Sequence, residues 1–275
     1  MIPAAPPTWD PQIYLRHAGH RTRPFHDLLN RIPELPHAGG SPRIADLGCG
    51  PGNVTTLLLD RWPTAHVTGY DSSPDMLAAA SPLAGPTPAG GRLDFARADI
   101  ATWTPDGAHD LITSSAALQW VRGHADRFKD WMSALRPGGV FAFQVPGNFV
   151  SPSHALLGEL CDSPRWRDRV GELGRRYVYI LEPGEYLDRL ADLGCEVDVW
   201  ETTYVQLLGG EDPVLDWVRG TALRPVLTAL RDDPVATEEF LAEYRERLRE
   251  AYPPGPHGTA FPFRRIFAVA RRPDA

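Results

Sequence analysis

The sequence predicts an α/β fold built on a parallel sheet that carries helices on both faces. Three observations predict it. Short apolar runs alternate with segments of helical periodicity, a glycine-rich turn follows the first run, and acidic residues follow the next runs. Strands that alternate with helices are typical of parallel strands joined by crossover helices.

The first half of the chain shows this alternation most regularly. Residues 43–47 form a short predicted strand that enters the glycine turn, and residues 54–62 place apolar side chains on one helical face. Ser72 or Ser73 can cap the next helix, because Pro74 suits its first position. The other elements predicted here are a helix at 24–32, strands at 66–70, 93–96, 110–114 and 140–145, and a helix at 128–135.

The second half is less regular and predicts helical insertions into the sheet. Residues 183–193 have an inward apolar stripe and end at Gly194, whereas residues 195–208 begin with the alternation of a strand. A final strand is predicted at 266–270. We therefore expect an N-terminal helical lid at 1–40, core segments at 41–149 and 183–208, helical cap insertions at 150–182 and 209–260, and the last core strand within 261–275.

Composition excludes several classes of protein. The chain has 275 residues, 43% of them hydrophobic, and a formal net charge of -7, so the basic surface of a nucleic-acid binder is not expected. The three cysteines, Cys49, Cys161 and Cys195, are far apart and indicate neither a disulfide framework nor a metal site. No signal peptide or 18-residue apolar run is found. We expect a cytoplasmic monomer or weak homodimer that has no membrane, nucleic-acid or metal partner.

The glycine turn is the first candidate binding feature. Gly48, Gly50 and Gly52 fall at the carboxyl end of the first predicted strand, where parallel sheets bind their ligands. Glycine lets the backbone turn sharply and lets a ligand lie against it. By itself, this pattern is equally compatible with a tight turn that binds nothing.

Acidic residues at the next strand ends strengthen the binding interpretation. Asp71 can accept hydrogen bonds from two ribose hydroxyls, and Asp99 with Ile100 can meet an adenine. Each acid alone could be a surface aspartate or a helix cap, but their occurrence at successive strand ends favours a nucleoside ligand.

The spacing of the turn glycines distinguishes between two kinds of nucleoside cofactor. A dinucleotide fingerprint has its third glycine one residue later than Gly52, and it places a pyrophosphate at the helix N-terminus. Asp46 would set a carboxylate beside that pyrophosphate, whereas a carboxylate suits the ammonium group of a methionine tail. The turn therefore favours S-adenosylmethionine.

Four segments together resemble class I S-adenosylmethionine-dependent methyltransferases: 45–53, 69–76, 98–100 and 135–139. The resemblance implies a Rossmann-like seven-stranded sheet, mostly parallel with an antiparallel last strand, and S-adenosyl-L-methionine as cofactor with S-adenosyl-L-homocysteine as product. The cofactor-binding residues expected from it are Asp46, Gly48, Gly50, Gly52, Asp71, Ser72, Met76, Asp99 and Ile100.

Segments outside these motifs are similar to those members of the family that esterify a small tricarboxylic acid. They lie at 9–14, 21–24, 117–120, 194–200, 202–204, 216–218, 223–225 and 267–272. This likeness implies methyl transfer to a carboxylate of trans-aconitate, which gives a monomethyl ester. The chain departs from the pattern in a proline-rich N-terminal extension and a longer loop at 81–91.

This methyl transfer depends more on the positioning of the two substrates than on acid–base groups. A carboxylate is ionised at neutral pH, so we expect in-line transfer with no catalytic base. Three carboxylates require cationic partners, and arginine suits them through its planar fork. The expected substrate-binding residues are Tyr14, Arg21, Gln119, Trp120, Arg224 and Arg264, with Arg265 a weaker candidate.

Other functions stay open at this point. A malonyl-[acyl-carrier protein] methyltransferase also esterifies a carboxylate, but it needs a basic docking patch that the acid-rich segment 238–250 does not offer. A methyltransferase for another small carboxylic acid is a second alternative. A nucleotide-binding module without catalysis and a nicotinamide dehydrogenase are the remaining two.

Overall fold

A computed structural model of the chain describes residues 18–173 and 179–274. Its helices are α1 (Ala18–Arg31), α2 (Thr56–Arg61), α3 (Pro74–Ala80), α4 (Phe128–Ser133), α5 (Pro152–Asp162), α6 (Arg167–Val170), α7 (Pro183–Ala191), α8 (Pro213–Arg219), α9 (Arg224–Leu230) and α10 (Pro234–Ala251). Its strands are β1 (Arg43–Leu47), β2 (His66–Asp71), β3 (Gly85–Pro86), β4 (Arg92–Arg97), β5 (His109–Ser115), β6 (Leu135–Pro146), β7 (Glu196–Leu208) and β8 (Thr259–Arg271). Short 3₁₀ turns lie at Ser81–Leu83, Leu118–Trp120, His124–Arg127 and Gly171–Leu173.

All eight strands form one sheet in the order β3-β4-β2-β1-β5-β6-β8-β7. The pairs β4-β2, β2-β1, β1-β5 and β5-β6 are parallel, and β8 is antiparallel to β6. The predicted α/β fold with an antiparallel last strand is therefore confirmed. The expected number of seven strands is wrong by one, because the loop at 81–91 contributes β3, which pairs antiparallel with β4.

The described residues fall into two compact units. The larger unit comprises 18–146, 179–202 and 265–274, and the smaller comprises 147–173 and 203–264. The cut falls within β7 and within β8, so each of these strands contributes to both units. The helix α1 belongs to the larger unit with the sheet, and Phe25 and Leu28 of α1 are fully buried.

Each unit has its own apolar core. In the larger unit, aromatic side chains of α4 and α7 pack with β6, and Phe128 contacts Phe141, Phe143 and Tyr186 with ring centroids 5.2–6.2 Å apart. In the smaller unit, buried side chains of α5, α8, α9 and α10, Trp217 among them, share one apolar cluster. Within the predicted helical insertions 150–182 and 209–260, the structure has α5 and α6 in the first and α8, α9 and α10 in the second, with short breaks between helices, and residues 174–178 lie outside the described residues.

A buried acid fixes the amino-terminal edge of the sheet. Asp110 is fully buried and its carboxylate accepts hydrogen bonds from Arg136 Nη1 at 2.6 Å and from the Arg43 backbone N–H at 2.7 Å. His37 Nδ1 lies 2.6 Å from the other carboxylate oxygen. With one edge held by this cluster, the opposite edge carries the loops that build the site.

Candidate active site

The glycine turn links β1 to α2 and has left-handed backbone at each of its glycines. The φ angles are 76° at Gly48, 56° at Gly50 and 78° at Gly52, values that L side chains rarely adopt. The N–H groups of Gly48 and Cys49 both donate to the carbonyl oxygen of Tyr70 in β2, at 2.7 and 3.0 Å. These bonds hold the turn against the neighbouring strand.

The space around the turn differs sharply between two of its glycines. A Cβ at Gly48 would lie 2.2 Å from the Ala117 Cβ and 3.2 Å from Ile100 Cδ1. At Gly50, in contrast, no described atom lies within 4 Å of the position of a Cβ. The turn therefore packs tightly on one side and leaves open space on the other, which is the geometry that a bound ligand requires.

Asp46 lies in β1 and is 1% exposed. Its Oδ2 accepts a hydrogen bond from Thr55 Oγ1 at 2.7 Å, while no donor among the described residues reaches its buried Oδ1. Burial raises the pKa of Asp46 to about 7; the Thr55 bond opposes this rise, and the charge of Asp71 adds to it. An unsatisfied buried carboxylate oxygen is costly and indicates a cationic partner that the described residues do not supply.

Asp71 ends β2 and links the turn to α3. Its Oδ2 accepts the N–H of Gly50 at 2.9 Å, and its Oδ1 accepts the N–H of Ser73 at 2.8 Å. Burial raises the pKa of Asp71 above its ordinary value, although backbone N–H bonds act in the opposite direction. Each carboxylate oxygen retains acceptor capacity, so the side chain is fixed in place and can still bind hydroxyl groups.

The remaining predicted cofactor residues lie around the same carboxyl edge of the sheet. Ser72 is exposed after β2, and Met76 is buried in the first turn of α3, where its N–H donates to Ser73 Oγ. Asp99 is exposed and accepts the N–H of Ala101 at 2.9 Å, and Ile100 borders Gly48. The structure thus brings all nine predicted positions to one edge of the larger unit.

The Cys49 thiol lies inside the turn. It is buried, and its Sγ is 3.6 Å from the carbonyl oxygen of Gly50. Burial raises the pKa of this thiol well above its usual range, and the charges of Asp46 and Asp71 raise it further. The thiol is a packing element of the turn.

Gln119 and Trp120 occupy the short turn that follows β5. The preceding Ala116 has a φ of 55°, an uncommon conformation for a residue with a side chain. Its carbonyl oxygen accepts Gln119 Nε2 at 2.6 Å, and the buried Gln119 Oε1 meets no donor among the described residues. Trp120 is half-buried beside it. The uncommon backbone at Ala116 begins a loop that reaches the glycine turn, since the Ala117 Cβ lies close to Gly48.

The predicted substrate arginines are not all placed in one unit. Arg224 begins α9 and is half-buried, and Arg264 lies in β8, where its Nη1 donates to the Gly147 carbonyl oxygen at 3.3 Å; both belong to the smaller unit. The last strand was expected at 266–270, but β8 begins seven positions earlier, at Thr259, so Arg264 lies within it. Arg21 lies in α1 with its side chain outside the description, and Tyr14 lies outside the described residues.

Sequence reasoning undervalued Arg265. This side chain is 5% exposed, and its Nη1 donates to Gln144 Oε1 at 3.0 Å. Two consecutive arginines suggest a solvated surface, and only the position of β8 beside β6 shows that the second of them is inside. Strand alternation between Phe263, Arg265 and Phe267 was the signal that could have identified it.

Comparison with protein families identifies the class of protein that this fold and site define. Residues 44–139, which contain the glycine turn and both acids, match a family model described as a methyltransferase domain. Among solved structures, phosphoethanolamine N-methyltransferase 2 of Haemonchus contortus superposes with a TM-score of 0.51 at 18% identity, over 90% of this chain and 51% of that one. The domain is therefore a methyltransferase domain.

Full-length relatives define the family more narrowly. The chain is 63% identical over 273 residues to the trans-aconitate 2-methyltransferase of Streptomyces coelicolor, covering 99% of this chain and 89% of the relative. It is 62% identical over 271 residues to the protein of the same name from Streptomyces avermitilis, covering 98% and 99%. This chain belongs to the trans-aconitate 2-methyltransferase family.

Proposed function

We propose that this protein transfers a methyl group from S-adenosylmethionine to a carboxylate of trans-aconitate and releases the monomethyl ester. The observation that carries the proposal is identity above 60% to relatives of that name along almost the whole chain, including the segments outside the methyltransferase domain. Four of the six residues proposed to bind the acceptor lie outside that domain, so likeness there bears on the substrate as well.

The residues of the larger unit fit the cofactor. The buried Oδ1 of Asp46 offers an acceptor for an ammonium group, Asp71 offers fixed acceptors for hydroxyl groups, and the space at Gly50 admits a ligand against the backbone. Asp99, Ile100, Ser72 and Met76 would border the nucleoside. When bound, the cofactor supplies an activated methyl group.

The chain's own contribution to the reaction would be binding, orientation and exclusion of water. The acceptor oxygen is already an anion, so no side chain has to remove a proton from it. Gln119 and Trp120 would border the acceptor beside the glycine turn, while Arg21, Arg224, Arg264 and Tyr14 are proposed to bind its carboxylates. We propose that the segments 1–40, 150–182 and 209–260 act as lid and cap and keep the site dry, which strengthens charge pairing.

Product analysis tests the proposed function. The protein is incubated with S-adenosylmethionine and, separately, with trans-aconitate, cis-aconitate, isocitrate, citrate and malonyl-[acyl-carrier protein], and products are identified by mass spectrometry. We expect the monomethyl ester of trans-aconitate to form with the highest kcat/KM. Preferred methylation of malonyl-[acyl-carrier protein], or no ester of any acid, would overturn the proposal.

Asp46 should make cofactor binding depend on pH. The ammonium group binds the ionised carboxylate, and with a pKa of about 7 the ionised fraction falls about tenfold between pH 8 and pH 6. The quantity to compare is the affinity of the wild type for S-adenosylhomocysteine divided by the affinity of Asp46→Asn. We expect this ratio to fall about tenfold between pH 8 and pH 6. Isothermal titration of both proteins at each pH measures it, and titration of the ligand itself cancels in the ratio. A ratio that does not change with pH would contradict the role of Asp46.

The reaction rate with both substrates saturating should depend on pH much less than cofactor binding does. With both substrates saturating, we expect kcat to vary by less than about threefold between pH 6 and pH 9, because no titrating base takes part in the methyl transfer. Initial rates across this range measure it. A change of about tenfold per pH unit would show that a proton is removed in the rate-limiting step.

The remaining expectations concern partners and location. No helix of the described ranges is long and apolar enough to cross a membrane. We propose a cytoplasmic enzyme that acts on a small molecule as a monomer or weak homodimer and does not bind nucleic acid. Sedimentation velocity at several protein concentrations tests the oligomeric state.

A further inference from the structure

A cluster of buried polar side chains lies in the smaller unit, between β6 and α5. Asn148 is 1% exposed, Ser153 is fully buried in the first turn of α5, and His154 beside it is half-buried. Asn148 Nδ2 and Ser153 Oγ lie 3.3 Å and 3.1 Å from the same atom, the Nδ1 of His154. The proposed cofactor-binding residues all lie in the larger unit, so this cluster serves another purpose.

Two tyrosine hydroxyls hold the backbone of this cluster. The hydroxyl oxygen of Tyr252 accepts the N–H of Ser153 at 3.0 Å, and the Tyr244 hydroxyl donates to the Ser153 carbonyl oxygen at 2.5 Å. Both tyrosines belong to the apolar core of the smaller unit, and Tyr244 is fully buried. The start of α5, and with it His154, is therefore held against that core.

The hydrogen bonds determine which nitrogen of His154 carries the proton. An amide nitrogen can only donate, so Asn148 Nδ2 makes the Nδ1 of the ring an acceptor. Burial lowers the pKa of His154 to about 4, so the ring is neutral at physiological pH. A neutral imidazole has one N–H, which must then be at Nε2. No acceptor among the described residues meets this N–H.

The amide of Asn148 leaves the complementary atom without a partner. Its Oδ1 is buried, and no donor among the described residues reaches it, which is costly inside a protein. This oxygen and the His154 Nε2 flank the bonded amide–imidazole pair. A ligand group that completes the cluster must donate one hydrogen bond to Asn148 and accept one from His154. Hydroxyl, carboxamide and protonated carboxyl groups do both, whereas a carboxylate only accepts.

The surroundings of the cluster favour an uncharged ligand group. The charged and titratable groups in contact with it are Arg264, whose Nη1 donates to the Gly147 carbonyl oxygen at 3.3 Å, and the phenols of Tyr244 and Tyr252. Burial, and not one of these groups, lowers the pKa of His154. Burial opposes charge of either sign, so it also raises the pKa of a carboxylic acid. A carboxyl group that enters the cluster is therefore favoured in its protonated form.

We infer that Asn148 and His154 bind one carboxyl group of the acceptor in its protonated form, with Ser153 as a positioning residue. The O–H of that group donates to Asn148 Oδ1, and its carbonyl oxygen accepts the Nε2–H of His154. The inference rests on the proposed function, which supplies an acceptor with several carboxyl groups. The methylated carboxyl group is a different one, because the oxygen that attacks the methyl group must be an anion.

The KM for the acceptor should then depend on pH. Above its pKa, the protonated fraction of a carboxyl group falls about tenfold per pH unit. At saturating S-adenosylmethionine, we expect the KM for trans-aconitate to rise about 100-fold between pH 6 and pH 8, while kcat changes less than about threefold. As competitive inhibitors, the three monoamides of trans-aconitate should differ. One of them should bind equally well across this range, because a carboxamide donates and accepts without titrating.

The variants Asn148→Leu and His154→Phe remove the acceptor and the donor in turn. For each we expect the KM at pH 6 to rise about 10- to 100-fold and to depend on pH less than in the wild type, because the protonated group loses its advantage. His154→Gln, which retains an N–H donor, should lie between. Ser163→Ala is the matched control and should match the wild type: Ser163 Oγ is also buried without a partner among the described residues, but it lies at the other end of α5. S-adenosylhomocysteine affinity and Tm, measured for each variant, report whether the cofactor site and the fold persist.

The wild-type profile decides the question even where a variant folds poorly. If the wild-type KM for trans-aconitate is the same at pH 6 and pH 8, the inference is wrong. If that KM rises with pH but Asn148→Leu and His154→Phe keep the wild-type values, other residues cause the rise and the inference is wrong as well. If the wild type forms no ester of trans-aconitate, the proposed function has failed instead, and the inference fails with it.

Discussion

Replacing Gly48 by alanine should lower the free energy of unfolding by about 2–5 kcal/mol and abolish cofactor binding. The new Cβ would lie 2.2 Å from the Ala117 Cβ, and the residue would keep a φ near 76°. Ala117 has no flexible end that can move aside, so the backbone of the turn or of the loop after β5 must shift. We expect Tm to fall by about 5–15 °C in a thermal melt, with S-adenosylhomocysteine giving no further stabilisation.

Two other glycines serve as matched controls for this prediction. Gly50 has a φ of 56° and Gly194 a φ of 78°, and a Cβ at either position meets no described atom within 4 Å. In both alanine variants, backbone strain alone should therefore lower the free energy of unfolding, by about 1–2 kcal/mol. Gly50→Ala should lose cofactor affinity because its Cβ enters the open space, whereas Gly194→Ala should bind normally. If Gly48→Ala behaved like Gly194→Ala, tight packing of the turn would be disproved.

Removing the carboxylate of Asp71 should weaken cofactor binding at least about 100-fold. The Asp71→Ala variant loses two charge-assisted acceptors for hydroxyl groups, each contributing about 1.5–3 kcal/mol. It also leaves the N–H of Gly50 without its acceptor, so the open side of the turn is no longer held. Isothermal titration with S-adenosylhomocysteine measures the change.

Asp75 provides the control for Asp71. It is an exposed acid in the first turn of α3, four positions further along the chain. Asp75→Ala changes the net charge by the same amount and should leave cofactor affinity within about twofold. Asp71→Asn, which retains one oxygen acceptor, should lie between the two. If Asp71→Ala kept both the cofactor affinity and the Tm of the wild type, Asp71 would not be a cofactor-binding residue.

The parts of the site that could be predicted from sequence are those with local signals. The turn glycines are recognisable because only glycine adopts their backbone angles readily. Asp71 and Asp99 are recognisable because each lies at, or just after, the end of a strand that could be predicted from the sequence. Parallel strands bring such positions to one edge, so their proximity follows from the fold class alone.

Strand lengths were less predictable, because interactions across the sheet overrode local signals. The last strand was predicted at 266–270 but begins at Thr259. The prediction was too short because Pro262 argues against a strand, although Phe261 and Phe263 alternate as buried residues. The strand β6 begins at Leu135, where Pro137 and the following glycines suggest a turn. Pairing with neighbouring strands extends both elements.

Buried polar residues were the least predictable part. Arg265 and Gln144 contact each other across 121 positions, so no local pattern connects them. His124 is also buried, with its Nε2 2.8 Å from the hydroxyl oxygen of Tyr186, which lies 62 positions away in the chain. Residues of this kind are identified only when the register of the sheet is known.

The thiol inside the glycine turn gives the protein a built-in chemical reporter. Only a thiolate reacts with alkylating reagents, and burial beside two acids keeps the Cys49 sulfur protonated. Cys49 can therefore be labelled only while the turn is open, and the labelling rate measures how often it opens. A ligand lying against the turn would slow that reaction in proportion to its occupancy, so that the affinity of even an unreactive ligand could be read from a mass spectrum.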